Sequence, residues 1–536
     1  MTVMKKAFII ISLLVLSVCR GFGAERVYVS TDRNAYITGE RVWCSVFCFG
    51  NDGTLSRSSA VAYLELISES GSALQTKIGL VNGRGSGEFF LPASLKEGNY
   101  RLIAYTSSQN PESFLDGSRI ISVYNTFTKV REESVKVSEL APTASMPDIS
   151  DGITLSVRAH VSKNGEVNVN LVSDCADVSL SVYHQDDLFQ LTPEDIDSFM
   201  GVFPVTEDDF YGEPEITGEI IRAVANGAGG TQAAILSCAG SVDDTYISTT
   251  KDDGSVEFHT GNIYGDREMV CEVPEGGADV RLQILSPFKK PAPGKLPSLV
   301  IGRNLFSSLV RRKASLTHQV KADTLVEFLQ RREDPVFSGV TWERYNLDDY
   351  NRFPTVREVI VEILPSLKIR RFQGKPVFAI MVTNQNDSRR VSRDHVLAMM
   401  DGVVITSPDL ILSFDAMLLQ EVMICRQPVV FGNTLYTGVV NFVTKNNYVT
   451  ALRFAPNVRV VDFSGVRYPV AYLGEKPEES AQDSRELLYW HPSLKVNGVT
   501  SVPVFTPSYE GTFRVVAEGI GKDGKPVRAT ASFEVR

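Results

Sequence analysis

The sequence is poor in the residues that most often carry chemistry. Its six histidines, His160, His184, His259, His318, His395 and His491, are dispersed. No HExxH and no i, i+4 histidine pair occurs, which excludes zinc hydrolases built on those spacings. No GxSxG elbow, P-loop or dinucleotide-binding glycine pattern occurs either, so the hydrolase, NTPase and oxidoreductase classes they mark lose their usual signatures. Seven cysteines are scattered without a CxxC pair. That spacing speaks for core thiols rather than a disulfide framework or a zinc site. Cys44 and Cys48, four apart on a predicted strand, stand about 13 Å from each other at roughly 3.3 Å per residue, too far to bridge. Positive charge is not in excess: 54 Lys and Arg face 64 Asp and Glu, for a formal charge of −10. An acidic chain of this kind is a poor partner for nucleic acid. The nearest approach to a polar cluster is His184 with Asp186 and Asp187, which reads as the end of a β-hairpin. Trp490-His491-Pro492 reads as a packing corner.

What is present is ordinary globular material. The 536 residues, 43% hydrophobic and 22% charged, predict three to five folding units at roughly 100 to 200 residues each. Forty Gly and 25 Pro, with many Val, Thr, Tyr and Phe, favour β-structure joined by turns. Lys5-Lys6, the apolar run 7–16 and Gly21-Phe22-Gly23-Ala24 have the order of a secretory signal peptide spanning 1–24. The run is too short to cross a bilayer as a helix. Cleavage near Ala24 removes Lys5, Lys6 and Arg20 and no acid, leaving the exported chain more acidic still. Cys19 is a candidate for lipidation, although Val18 stands where such sites favour a small residue.

Composition and patterning divide the remainder. Residues 25–135 read as a β-sandwich in which Trp43, Ser45, Phe47 and Phe49 share one face of a strand. Residues 151–213 form a second β-unit with strands at 153–159, 166–172 and 176–182. It leads into an acidic loop containing Glu194, Asp195, Asp197, Glu207, Asp208, Asp209, Glu213 and Glu215. Calcium loops place alternate ligands inward, a spacing these carboxylates lack, so a solvated loop is expected. A third β-unit covers 214–285, with a hairpin-type turn at Asp253-Gly254. Residues 286–350 are a Pro-rich connector followed by a helical bridge, where Leu305, Leu309, Leu316, Leu325 and Leu329 alternate with Arg311, Arg312, Lys313, Arg331 and Arg332. In the α+β segment 351–450, Asp348-Asp349 and Pro354 precede a helix whose apolar face is Val356, Val359, Ile360 and Ile363. There the block 400–445 predicts a tight turn at Asp401-Gly402, a helix beginning at Pro408-Asp409, and strands at 421–426 and 439–444. The last β-unit, 457–536, has hairpin signals at Asn497-Gly498 and Asp523-Gly524.

Several of these segments resemble known modules. VYVSTDRNAYITGERVWCSV, with Tyr36, Gly39 and Glu40, is similar to the macroglobulin-type sandwich at the front of alpha-2-macroglobulin-like proteins. LYWHP and EGTFRVVAEGIGKDG near the end resemble the segment that precedes the thioester domain of the same group. No GCGEQ sequence occurs, so covalent trapping of a protease is excluded. Residues 214–285 resemble the carboxypeptidase-regulatory sandwich, a spacer or docking module, without the peptidase domain. MMDGVVI and FGNTLYTGVVNFVTK resemble the plug domain of TonB-dependent outer-membrane receptors, on Asp401, Gly402, Phe431, Gly432, Gly438, Asn441, Thr444 and Lys445. Only about 90 residues follow, whereas a barrel of about 22 strands would need far more. No TonB-box stretch follows the signal peptide, and 383–394 is unusually polar, so transport and energy coupling are not implied.

The expected fold class is therefore mostly β and multidomain, with immunoglobulin-like or macroglobulin-type sandwiches plus an α+β plug-like domain. The order of units resembles secreted multidomain proteins of Bacteroidetes-type bacteria. That resemblance implies a non-enzymatic periplasmic or outer-membrane-associated protein without cofactor or metal. Its partner would be an outer-membrane or periplasmic protein, and the helix and loop between Ser407 and Leu419 would be the docking surface. Membrane association would come through the partner or a lipid on Cys19. A surface-exported adhesin whose C-terminal β-unit is a sorting domain is the alternative. A hydrolase using His184, Asp186 and Asp187 is the third.

Overall fold

The structure, a computed structural model, describes residues 24–115, 117–128, 135–201, 212–317, 323–325, 328, 337, 339–383, 389–391, 395–476 and 482–536. Residues 1–23 of the expected signal peptide 1–24, including Cys19, together with His318, Leu329, Arg331, Arg332, the acids Glu207, Asp208 and Asp209, and most of 383–394, lie outside the described residues. The chain divides into two compact units. One holds residues up to 218 with 288–330 and 466–536, and the other 219–287 with 331–465. Both are built mainly of β-sheets, the class expected from composition and patterning.

The first unit begins with the predicted front sandwich. Arg26–Thr31, Arg41–Phe49 and Arg84–Phe90 form one antiparallel sheet. Ala35–Ile37, Arg119–Tyr124, Gly98–Tyr105, Val61–Ser68 and Gly71–Gly79 form the other. Between them lie Val42, Cys44, Val46 and Cys48 from the Arg41–Phe49 strand, with Leu64, Leu102 and Val123 opposite. The alternate face is buried as well. Trp43 packs on Trp490 with ring centroids 5.4 Å apart, and Phe47 and Phe49 join Phe199, Ile196 and Ile520. A strand covered on both faces needs apolar or neutral residues throughout, which is what RVWCSVFCF supplies after its first position.

The second sheet of this unit reassigns two predicted domains. The long strand Glu166–His184 runs antiparallel to Leu487–Phe505 along almost its whole length, for example Val182 opposite Tyr489 and Val169 opposite Val502. Its C-terminal half also pairs with Gly511–Gly521, which pairs in turn with Pro526–Val535. The segments read as separate units, 151–213 and 457–536, thus share one sheet and one core, to which Val167, Leu171, Leu180, Phe513, Val515 and Phe533 contribute. Asn497-Gly498 is not a hairpin turn: it lies inside Leu487–Phe505, opposite a register shift between Ser173 and Ala176. Extra residues of this kind bend a strand, and exposed Cys175 sits at the bend, so it is no core thiol. Asp523-Gly524 does form the expected turn, with Gly524 at φ +76° and Gly521 N–H donating to Lys525 O.

The Pro-rich connector is fastened along the front sandwich. Arg101 Nε donates to Pro293 O at 2.7 Å, Asn99 Nδ2 to Pro297 O at 3.0 Å, and Lys290 N–H to Glu65 Oε1 at 3.0 Å. Leu299–Ile301 then pairs in parallel with Val135–Val137, and the helix Phe306–Ser315 follows.

In the second unit, Ser255–His259, Ile220–Asn226 and Arg281–Ile284 face Thr245–Thr249, Ala233–Cys238, Asp266–Glu272 and Arg459–Ser464 across a common core. The strand Arg459–Ser464 completes this sandwich from outside the predicted range 214–285. The α+β body is a five-stranded sheet ordered Trp342–Asn346, Leu419–Cys425, Val439–Thr444, Leu397–Met400 and Val403–Val404. Trp342–Asn346 belongs here, not to a helical bridge. The helix Val356–Glu362 starts from a capping box between Thr355 and Glu358. Asp348-Asp349, read as its start signal, instead form a separate short turn, Leu347–Asp349. The anticipated apolar face, Val356, Val359, Ile360 and Ile363, is buried in the core of this body. Among the described residues no helix is long and apolar enough to cross a membrane.

Removing residues 457–536 strips three strands from the sheet that holds Glu166–His184. Such a truncated chain is expected to lose protease resistance in 151–184 as well. Limited proteolysis with mass mapping checks this, and a resistant 151–184 fragment would show that the pairing is dispensable.

Candidate functional site

The plug-motif residues separate into an inner cluster and a periphery. Asp401 and Gly402 form the two-residue turn between Leu397–Met400 and Val403–Val404, both with positive φ, +47° and +80°. This is the backbone that Asp-Gly favours in tight hairpins. The Asp401 carboxylate is 3% exposed. It accepts from Thr444 N–H at 2.6 Å, Thr444 Oγ1 at 2.7 Å and Val449 N–H at 3.2 Å. Burial pushes its pKa up, and these three donors pull against that shift. Asn441 Oδ1 accepts from Gly402 N–H at 3.1 Å, and Gly402 O accepts from Thr245 Oγ1 at 2.8 Å. A Cβ at Gly402 would lie 2.4 Å from Ser241 O.

The other motif residues stand apart from this cluster. Phe431 is buried with Val429 and Tyr436, and Gly432, at φ +61°, turns the short hairpin against Ile247. Gly438 sits where a Cβ would be 2.4 Å from Cys425 O. Lys445 is exposed, its N–H donating to Leu418 O. The buried motif groups therefore turn inward, and their polar atoms are engaged within the second unit. Nearby on the surface, the helix Pro408–Leu412 and the turn Ala416–Leu418 present Met417 and Leu418, 45% and 37% exposed. Arg357, Ser407, Asp409, Leu410, Leu412 and Ser413 line a shallow depression beside them.

In the first unit the structure assembles a site that local sequence did not announce. The helix Phe306–Ser315 inserts Arg312, 0% exposed, among groups from four other segments. Its guanidinium meets both Asp186 oxygens, Nε at 2.8 Å and Nη2 at 3.1 Å, while Nη1 donates to Ala35 O at 2.7 Å. Glu40 lies 3.5 Å and Glu486 3.9 Å away. Arg311 reaches Asp186 at 2.9 Å and Glu486 at 3.1 Å. His184 Nδ1 stands 3.0 Å from both Glu486 Oε2 and Arg311 Nη2. A guanidinium only donates, so a proton on Nδ1 serves Glu486 and excludes a hydrogen bond from Arg311. Glu40 also holds Arg33 at 3.1 Å, and Arg33 lies 3.6 Å from Asp32. Of the predicted polar trio, His184 and Asp186 belong to this network and Asp187 does not.

Burial would raise the Glu486 pKa, but the His184 hydrogen bond and the charges of Arg312 and Arg311 outweigh it, leaving the group at about 2. Asp32 is the opposite case. Burial lifts it to about 6 despite Arg33, the Trp43 N–H and the Tyr36 hydroxyl. Donor atoms of His184, Asp186 and Glu486 lie within 4.8 Å of one another, a spacing a cation could use. Two guanidiniums already occupy those oxygens, so the donor set suits an ion-pair network and not a divalent metal. The signal that could have revealed it is Arg312 at the spacing of Leu305, Leu309 and Leu316, which places it on their apolar face of the helix. Elsewhere in the acidic stretch, Asp195 caps Ile196–Met200 and pairs with Arg528, and Glu215 is buried under the Tyr63 hydroxyl at 2.9 Å.

Three outcomes follow. Glu486 is held below its ordinary 4.5, so its stabilisation is present above that value and is lost as pH falls toward about 2. Urea denaturation of Glu486→Gln is expected to show a loss of about 3 kcal/mol at neutral pH, with the gap to the parent closing on acidification. Asp401→Ala leaves two buried N–H donors and a hydroxyl without their acceptor, which is expected to cost about 2 to 4 kcal/mol in thermal unfolding of the second unit. Lys445→Ala, on the surface, is expected to stay within about 0.5 kcal/mol of the parent.

No family model matches the chain, and no curated protein matches its sequence. Among solved structures it is similar to native alpha-2-macroglobulin of E. coli, at 10% identity and TM-score 0.24, over 96% of this chain and 40% of that one. Salmonella alpha-2-macroglobulin reacted with methylamine gives the same identity, coverage and TM-score. A tetra-tandem repeat from the extending region of a large adhesion protein aligns at 10% identity and TM-score 0.13, over 96% of this chain and all of that one. The chain spans 40% of the length of the macroglobulins it matches, and likeness at this level assigns neither family nor activity.

Proposed function

We propose that this chain is a non-enzymatic interaction protein of the cell envelope, docking onto an outer-membrane or periplasmic protein through the 407–419 surface of its α+β body. The observation that carries this is the contrast between the two sides of the plug motif. Asp401, Asn441 and Thr444 spend their polar groups inside the fold, whereas in 407–419 Met417 and Leu418 stand exposed and Asp409 lines a surface depression with Arg357. Val361, on the helix that packs against Pro408–Leu412, is 68% exposed as well. Exposed apolar side chains bordered by charges of both signs are the makings of a protein-binding patch. Export rests on the signal-peptide order of residues 1–24.

The other readings have less support. A C-terminal sorting domain would fold by itself, but Gly511–Gly521 and Pro526–Val535 share their sheet and core with Glu166–His184. Hydrolysis would need His184 and Asp186 available to substrate, and both are engaged by Glu486, Arg311 and Arg312.

Pull-down from envelope membranes with the purified chain is expected to enrich an outer-membrane or periplasmic protein. Met417→Asp with Leu418→Asp should abolish the enrichment without changing the melting of the second unit. Recovery no greater than with a chain lacking 351–450 would overturn the proposal.

A further inference from the structure

The Phe306–Ser315 helix is apolar on two sides, Leu309 packing on the core. It buries Ser308, Arg312 and Ser315 and leaves Phe306 and Val310, one turn apart, 72% and 53% exposed. Arg312 faces Asp186, Glu40 and Glu486 on the same side as Leu309, which packs on the core, and Phe306 and Val310 point away from that side. The segment 135–141 runs alongside. Asn304 clasps Ala141 through both its N–H and its O, at 2.9 and 3.2 Å, and Arg303 N–H donates to Glu139 O at 3.1 Å. This neighbour adds Val137 and Leu140, 57% and 67% exposed. Four large apolar side chains thus stand in water on two hydrogen-bonded stretches of the first unit.

The exposed charges on these two stretches are Lys136, Arg303 and Lys313 against the single acid Glu139, on a chain whose formal charge is −10. Lys313 Nζ donates to Thr126 O at 2.8 Å and lies over the Phe127 ring, and its two further hydrogens are left for another acceptor. We infer that this face seats on an anionic lipid surface. Phe306, Val310, Val137 and Leu140 enter the boundary between headgroups and acyl chains, and the basic side chains meet phosphate oxygens. An exposed apolar helix face flanked by Lys and Arg suits that interface. A two-fold contact with a second copy is disfavoured, because it would set these cations against themselves. The inference concerns the first unit and stands apart from the docking surface of the second.

The test is flotation of the full-length exported chain with vesicles of phosphatidylcholine alone and of phosphatidylcholine mixed with phosphatidylglycerol. The expected result is binding to the anionic vesicles that weakens with salt. Phe306→Ser with Val310→Ser, and separately Arg303→Glu with Lys313→Glu, should each weaken it by at least roughly tenfold. All four positions are exposed, so unchanged melting of both variants is expected and separates binding from folding. Equal binding to both vesicle types, no binding, or parent-like binding by the variants would overturn the inference. So would a dimer in sedimentation velocity that Phe306→Ser with Val310→Ser dissolves, which would make this face a self-contact.

Discussion

A guanidinium without access to water governs the first unit. Burying an unpaired charge costs several kcal/mol, so Arg312 can sit where it does only if acids from elsewhere in the chain close around it. Asp186 comes from the end of a long strand, Glu40 from the turn before Arg41–Phe49, and Glu486 from the start of Leu487–Phe505. None of these acids is near Arg312 in sequence. The ion pairs therefore tie the helix, the front sandwich and the bent sheet into one arrangement. They also set the rotation of the helix and hence what it shows to its surroundings.

A second buried network does similar work at another place in the same unit. Glu518, on the Gly511–Gly521 strand, accepts from the Tyr28 hydroxyl at 2.9 Å and pairs with Arg119 at 2.9 Å. It too joins the front sandwich to the bent sheet. Such pairs add little net stability compared with apolar contacts of the same volume, but a misplacement leaves a charge uncompensated. Apolar packing supplies the bulk, with Trp43 on Trp490, Phe49 on Phe199, and Phe47 and Ile520 in the same cluster. The polar networks select the register in which that packing occurs. The Asp401-Gly402 turn in the second unit follows the same rule on a smaller scale, with one carboxylate, Asp401, gathering Thr444 and Val449 around it.

Much of the local structure was legible. The strands of the front sandwich follow alternation and turn residues, and the Val356–Glu362 helix follows the spacing of Val356, Val359 and Ile360. The Asp401-Gly402 turn was read from two residues alone. Domain limits were not legible, because Glu166–His184 pairs with strands far along the chain, and alternation does not say which strand is a neighbour. Asn497-Gly498 has the chemistry of a hairpin turn, yet the sheet continues through it, since the partner strand absorbs the irregularity with an extra residue. Arg311 and Arg312 read only as basic positions among the leucines of a helical bridge. Their acids become visible only when the chain has closed.

By itself, then, the sequence determined the mostly β class, many of the strands, the turns at Asp401-Gly402 and Asp523-Gly524, and the inward stripe of the Val356–Glu362 helix. These depend on backbone preference and on apolar spacing over a few residues. Tertiary structure decided which acids meet which arginines, which two segments share a sheet, and why Phe306 and Val310 face outward. Those outcomes depend on distances between groups hundreds of positions apart. Long-range closure of the chain sets such distances, and no local pattern encodes them.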